Sequence, residues 1–484
     1  MISLIEIPHH RKLLYAIILA ATLLRFGTIL LFHPQLLSDD RDYDAIARSL
    51  VSGDGYKLDG KLTAYRLPGY PLLLAGTYAL FGDTKAPIRI LQAMSDVVSC
   101  LLLFAIGKKL FSEKVGLLAA AALALFPIQI LYVSHLMTET LFTTLFLLII
   151  FVAIKEKHES NWLRNNLILG VLIGVSALIR PTILLFPLLI FLWRWRDGVP
   201  LRTNSRALVA VGLAAFLALS PWLVRNYVEF QRVSLTSNVG VNFWIGSHQD
   251  ASGAYSFPQK SNPLIDVKDD FERSDLGIRL GLEFARTSPI SYGIVVARKF
   301  VRFFSVDYWL MMTMQYKPEW ASAPNASTIF AQLSPVVLII LHLPYVIVLF
   351  LGTFGMSCNA AGDEKKFFIL RSLLLYWLFA HLIFFADARY RFPIMPVVIL
   401  AGAYGWSVLR AQHFQRTKLR IVAFAILCSI FIFGWIGEYV TIRSKMIPAR
   451  VEIEYLDSPN TLVTLHSTPC SQKCVDFVAP LDYI

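Results

Sequence analysis

The chain has 484 residues, of which 56% are hydrophobic and only 16% charged, and it carries a net charge of +12 at neutral pH. Its mean hydropathy is +0.58. Soluble domains carry about 25% charged residues, so this balance excludes an ordinary soluble enzyme and points to an all-α polytopic membrane protein.

Apolar runs of roughly 20 residues, the length that crosses about 30 Å of hydrocarbon, recur along the chain. In order, the expected spans are 13–33, 88–110, 115–133, 138–154, 163–180, 182–195, 206–224, 329–353, 367–385, 392–409 and 419–440. The first follows Arg11 and Lys12, the basic flank of a signal peptide. It is too long for an h-region and no small-residue cleavage site follows, so it is expected to remain as an anchor. The stretch 69–82 is apolar but short, which suits an interfacial or re-entrant helix. Eleven spans, within a range of about ten to thirteen, put the two termini on opposite sides.

Loop charge sets the orientation. Lys108, Lys109, Lys114, Lys155, Lys157, Arg164, Arg194, Arg196, Arg202, Arg206, Lys365, Lys366, Arg371, Arg410, Arg416, Lys418 and Arg420 share one side with Arg11 and Lys12. The acids there are fewer: Glu6, Glu113, Glu156, Glu159, Asp197, Asp363 and Glu364. This side reads as cytoplasmic. The bias explains most of the positive charge, so nucleic acid is not an expected partner. The loops 34–87 and 225–328 and the tail 441–484 then face outward. Within 225–328, residues 266–286 alternate apolar and charged positions as a surface helix would, one that binds membrane lipids. Cys470 and Cys474 lie in the tail, where an oxidising exterior permits a disulfide. A metal pair there lacks further His or Cys partners.

The outward loop after the first span reads LLSDDRDYDAIARSL over residues 36–50. Asp39 and Asp40 stand closest to the membrane exit. Desolvation there raises a carboxylate's pKa and makes it a better proton acceptor. For Asp42 and Asp44 a merely wet, acidic loop is an equal reading. Asp40-Arg41-Asp42 is a literal DxD, but positions i and i+2 of a helix point apart, so one ion is not easily clasped and no metal is expected. Asp39 with Glu139 across a cavity is the remaining way to hold one. Glu139, in LMTETLF, is an acid at the entrance of the fourth span, where ionisable groups are usually functional or paired.

Outward arginines run against the usual bias. Arg66 stands in AYRLPGYP, where Pro68, Gly69 and Pro71 fix a bent entry to the short helix. Arg180-Pro181-Thr182 makes an outer turn, Arg225-Asn226 ends the span PWLVRN, and Arg389 and Arg391 open the tenth span in ADARYRFPIMP. Lys299 and Arg302 stand beside Phe300, Phe303 and Phe304. A guanidinium fork suits a phosphate, and basic groups beside aromatics suit lipid headgroups. Plain interfacial anchoring is the rival reading for each. An acid and several arginines outside a membrane suit a transferase whose leaving group is a lipid phosphate.

The chain resembles the GT-C membrane glycosyltransferases of the dolichyl-phosphate-mannose protein mannosyltransferase type, glycosyltransferase family 39, which include the lipid A aminoarabinose transferases. The resemblance runs from about residue 10 to 440 through DDRDYDAIARSLVSGDGY (39–56), AYRLPGYPLLLAGTYALFG (64–82), MTETLF (137–142), ALIRPT (177–182), PWLVRN (221–226), TSNVGVNFWIG (236–246) and DARYRFPIMP (387–396). It implies a GT-C transmembrane domain over 1–440 and a short tail over 441–484. It implies an inverting transfer from a polyprenyl-phosphate sugar, on the outer face, to a glycan, lipid or protein, without a required cofactor. Asp39, four residues before Tyr43, matches the family's base. Asp40 stands where many members have Glu, and Glu139 matches the second acid. Arg66, with Leu67 intervening, Arg389, Arg391, Lys299 and Arg302 become the expected phosphate site. Tyr43, Tyr65, Arg225, Asn226, Asn242 and Trp244 become the expected substrate cavity. A lipid-linked sugar flippase or transporter, and an O-antigen ligase or polymerase, are the alternatives; a transporter would place its polar groups at mid-membrane in repeated halves, which this sequence does not show.

Overall fold

A computed structural model describes residues 9–34, 36, 39–155, 161–255, 262–305, 335–357, 363–411 and 418–446. The expected Cys470–Cys474 disulfide and the first residues of the expected span 329–353 lie outside them. The architecture is helical. In chain order the helices are α1 His9–Leu31, α2 Asp39–Val51, α3 Gly69–Phe81, α4 Ala86–Leu110, α5 Glu113–Ala124, α6 Pro127–Tyr132, α7 Glu139–Lys155, α8 Trp162–Ala177, α9 Phe186–Arg196, α10 Leu201–Phe230, α11 Val239–Ile245, α12 Asp270–Thr287 and α13 Pro289–Phe303. α14 Pro335–Ser357, α15 Glu364–Ile383, α16 Met395–Ala411 and α17 Lys418–Met446 follow, with short 3-10 turns at Pro181–Ile183 and Ala388–Ile394.

Among the described residues six helices are long and apolar enough to cross a membrane, and Gly69–Phe81, Glu139–Ile154, Trp162–Ala177 and His342–Ser357 are shorter apolar helices. Two expected spans are not single rods. Residues 115–133 divide into α5 and α6 at Pro127, which has no N–H to continue the ladder and restricts the residue before it. Residues 182–195 become the 3-10 turn at Pro181 and then the 11-residue α9. At 1.5 Å per residue α9 is roughly 16 Å long, about half the hydrocarbon thickness.

Pro127 has no N–H to give to Leu123 O four residues earlier, so the end of α5 leaves carbonyl acceptors inside the bundle, where no water satisfies them. Arg25 of α1 takes them. Its two Nη atoms donate to Ala124 O at 2.6 Å and Leu123 O at 3.1 Å. Its Nε donates to Asp96 of α4 at 2.7 Å, and Gln129 of α6 donates to the other Asp96 oxygen at 3.0 Å. Arg25 and Asp96 are fully buried. This pair therefore staples four helices, α1, α4, α5 and α6, at the break.

The Ala388–Ala411 segment forms the centre of the bundle: over its most apolar stretch it is 83% buried, against 11% for Arg420–Gly437 at the periphery. α16 is flanked by α14 and α5, and α8 runs along α10. The α8–α10 approach depends on missing side chains. A Cβ at Gly170 would lie 2.4 Å from Val211 O, and one at Gly174 2.7 Å from Ala215 O.

The loop after α1 holds α2, a two-stranded hairpin and α3, in keeping with the short helix expected at 69–82. Lys57 pairs with Leu62 and Leu58 with Lys61. The turn between them is Asp59-Gly60, with φ of 50° and 76°. Two positive φ values mark the tight hairpin turn that this dipeptide favours.

Candidate active site

The N-terminal turn of α2 carries Asp39, Asp40 and Asp42, where the helix dipole favours acids. α2 is held against α3 by Tyr43, Ala47, Tyr70, Leu74 and Tyr78, which share one buried cluster. Tyr78 Oη and Arg48 Nε both donate to Asp44. Asp44 is thus an anchor of α2 on α3, and it fixes the direction in which Asp39 projects.

Arg66 comes from a strap between the hairpin and α3. Arg225 donates to Thr63 O at 2.8 Å, Ser237 N to Ala64 O at 3.0 Å, and Thr236 Oγ1 to Tyr65 O at 2.8 Å. Tyr56 Oη donates to Arg66 O at 2.9 Å. At the next turn Gly69 N donates to Leu178 O at 2.9 Å, and a Cβ on Gly69 would meet that same oxygen at 2.8 Å. Glycine is therefore needed for the strap to lie on the end of α8.

Arg389 comes from the 3-10 turn before α16, which Asp387 caps by accepting from Arg389 N at 2.9 Å. Ala386 N donates to Gly253 O at 2.8 Å. Arg391 Nη1 donates to Phe303 O at 3.0 Å and Ser305 O at 2.5 Å. Lys299 Nζ donates to Leu382 O at 3.0 Å and Ile383 O at 3.1 Å, capping α15. These bonds fasten both ends of the segment that presents Arg389.

The two arginines converge on one carboxylate. Arg66 Nη2 lies 2.7 Å from Asp39 Oδ1, and Arg389 Nη2 lies 2.9 Å from Asp39 Oδ2. Arg66 also donates from Nε at 2.9 Å and Nη2 at 2.7 Å to Asp42 Oδ2. The four side chains are 15–20% exposed, so the cluster is shielded but reachable. The Arg66 guanidinium sits over Tyr65 at 4.8 Å and Tyr43 at 5.6 Å.

This geometry corrects one expectation. Burial alone would raise the Asp39 pKa, but the guanidinium groups of Arg389 and Arg66 more than reverse it and hold the carboxyl well below its usual range. Asp42 moves the other way, raised by burial against the pull of Arg66. Asp40 is buried and accepts from the next residue's own N–H, Arg41, at 3.0 Å.

A second acid–arginine pair stands beside the first. Glu139 is buried and pairs with Arg180, whose Nε donates to Thr138 Oγ1 at 3.0 Å. The Tyr390 ring lies 5.9 Å from the Arg180 guanidinium and 5.3 Å from that of Arg389. Burial and then the Asp39 charge raise the Tyr43 phenol pKa, with Glu139 and Arg180 also acting on it. Tyr43 and Tyr390 therefore lie between the two pairs.

The structure thus brings together Asp39, Arg66, Arg389, Tyr43 and Tyr65, with Glu139 as neighbour. Arg391, Lys299, Arg225 and Asn226 are engaged elsewhere. Arg391 and Lys299 are buried on backbone carbonyls, and burial pulls the Lys299 pKa down to about 8. Arg225 lies over Trp222 at 4.9 Å and Phe230 at 5.0 Å. Asn226 donates to Ser234 O at 2.7 Å. Trp244 lies against His248 with ring centroids 5.1 Å apart. Asn242, half-buried, donates its backbone N–H to Asn238 O at 3.1 Å, and Arg302 is half-buried near the end of α13. Sequence reasoning had no pairing for Arg180 and missed Tyr390, which lies between two arginines singled out on sequence. Among the described residues no three His, Cys, Asp or Glu side chains gather closely enough to hold a metal ion.

Residues 66–224 match the family model described as dolichyl-phosphate-mannose-protein mannosyltransferase. No curated protein matches the chain. The apo oligosaccharyltransferase of Archaeoglobus fulgidus shares the fold at a TM-score of 0.50 and 14% identity, over 91% of this chain and 56% of that one. The Archaeoglobus fulgidus AglB in complex with an inhibitory peptide and a dolichol-phosphate gives 0.46 at 13% identity, again over 91% and 56%. ArnT from Cupriavidus metallidurans bound to undecaprenyl phosphate gives 0.41 at 13% identity, over 81% of this chain and 77% of that one. The chain spans little more than half the length of the archaeal enzyme, and at such identity the likeness is one of fold. The mannosyltransferase match thus covers residues 66–224 of a multi-pass chain whose fold resembles that of the archaeal oligosaccharyltransferase.

Proposed function

We propose that the chain transfers a sugar from a polyprenyl-phosphate donor to an acceptor on the extracytoplasmic side of the cell membrane, with inversion. The observation that carries this reading is the Asp39 carboxylate bridged by Arg66 and Arg389. One group accepts a proton and two groups accept phosphate charge, all at a single point. The family match over residues 66–224 supports a lipid-linked donor. So do the dolichol-phosphate and undecaprenyl phosphate held by AglB and ArnT in their structures.

In the reaction the acceptor hydroxyl, or amine, gives its proton to Asp39. The acceptor oxygen or nitrogen then bonds to the anomeric carbon from the face opposite the phosphate. The bond from that carbon to the phosphate oxygen breaks, and its electron pair leaves with the polyprenyl phosphate. The leaving phosphate gains a negative charge, so Arg66 and Arg389 favour the transition state over the bound donor. Glu139, paired with Arg180, stands beside this point. Glycan, lipid and protein acceptors all present the required nucleophile. The outward placement rests on the basic residues of the opposite loops.

No bound metal is required, because the arginines supply the cationic groups. EDTA-treated protein should therefore transfer at the untreated rate. Asp39→Asn should lower turnover by about 10²-fold or more, the usual contribution of a general base. Wild-type transfer by Asp39→Asn would overturn the assignment.

A further inference from the structure

The arginines expected to hold the donor phosphate are already occupied by carboxylates. Arg66 uses Nη2 for Asp39 and both Nε and Nη2 for Asp42. Arg389 uses Nη2 for Asp39. Two carboxylates and two guanidiniums make a neutral cluster. A phosphate that docks on both arginines adds charge to that balance and competes for the same N–H donors. The cluster comes from α2, the strap before α3 and the turn before α16, so each partner moves on its own backbone anchor. Tyr78 and Arg48 hold Asp44, and the strap and turn are pinned by backbone bonds. The side-chain ion pairs are therefore the parts free to exchange.

We infer that the donor's phosphate displaces Asp39 from Arg66 and Arg389, so that binding of the donor itself liberates the general base. This inference rests on the reading of Arg66 and Arg389 as the phosphate site. Without donor the carboxylate is neutralised by the two guanidiniums and is a poor proton acceptor. With donor bound, the phosphate takes the arginines and Asp39 faces the acceptor with its charge uncompensated, which strengthens it as a base. Transfer is then ordered, donor first, and an acceptor or a water that enters an empty site meets no active base. On departure of the polyprenyl phosphate the ion pairs re-form and help to expel it.

The consequence is contrary to the usual effect of mutating a site residue. A carboxylate that competes with phosphate weakens its binding, so removing the charge should strengthen it. The test is titration of purified full-length protein in nanodiscs with a polyprenyl monophosphate, read by native mass spectrometry. Asp39→Asn should bind about tenfold tighter or more, as expected for loss of a close competing charge, while its turnover falls by about 10²-fold or more. Asp42→Asn, which relieves only Arg66, should bind tighter by a smaller factor and provides the reading if Asp39→Asn does not fold. Equal or weaker binding by the folded variants overturns the exchange. Arg66→Ala and Arg389→Ala report separately on the underlying reading: both should lose binding. If they bind as wild type does, the phosphate site itself is elsewhere.

Discussion

Asp39 is held by charge, and that sets its behaviour with pH. Its folded pKa lies below the ordinary value of 3.8. A depressed carboxylate stabilises the fold at pH values above its unfolded pKa and loses that contribution as pH falls through the folded one. The melting temperature of donor-free wild type should therefore exceed that of Asp39→Asn by a constant margin from pH 7 down to about 5. Below about 4 the margin should shrink; a margin that grows on acidification would mean the carboxyl is not ion-paired. Arg389 and Arg391, two residues apart, should separate cleanly. Arg389→Ala should lower turnover by about 10²-fold or more, the scale of losing one charge-stabilising donor. Arg391→Ala removes two bonds to the end of α13 and a position 4.1 Å above Tyr345. It should instead cost roughly 1–3 kcal/mol of stability, measured as melting in detergent. A selective loss of turnover in Arg391→Ala would return that residue to the phosphate site.

Helices α1, α4, α5 and α6 depend on one buried ion pair. Arg25→Leu strands Asp96 and uncaps α5, and breaking a buried pair costs about 3–5 kcal/mol. The double variant Arg25→Leu/Asp96→Leu should be more stable than Arg25→Leu alone, because the orphaned charge is gone; a double-mutant cycle with no coupling would show that the pair is not formed. The α8–α10 contact makes a steric prediction. In Gly170→Val the new side chain meets Val211 O, a backbone atom that cannot rotate away. A loss of about 1–3 kcal/mol is expected for overpacking, and an unchanged melting temperature would refute the close approach.

The orientation of the whole molecule is testable at α2. Ser52 is exposed just beyond Asp39–Val51. A cysteine placed there in a background without Cys100, Cys358, Cys428, Cys470 and Cys474 should react with an impermeant maleimide in intact cells. Labelling only after permeabilisation would invert the topology and put the proposed transfer on the other face.

The class of this protein was legible in its composition, because a bilayer imposes long apolar runs that survive in any sequence. The order of motifs from Asp39 to Arg391 carried the family resemblance, and the positions of Asp39, Arg66 and Arg389 followed from charge where the loop bias predicts little. The turn at Pro181 was marked by Arg180, but the helix break at Pro127 was less visible, since the apolar run continues through that proline and hydropathy does not register a missing N–H. Pairing was decided only by tertiary structure. Asp39 lies 27 residues from Arg66 and far more from Arg389, and nothing local distinguishes Arg389 from Arg391. The 3-10 turn after Asp387 aims one guanidinium at Asp39 and buries the other on the carbonyls of Phe303 and Ser305. Sequence supplied the charges; the distances between them, which fix whether a carboxylate is raised by burial or lowered by a neighbour, exist only once the helices are assembled.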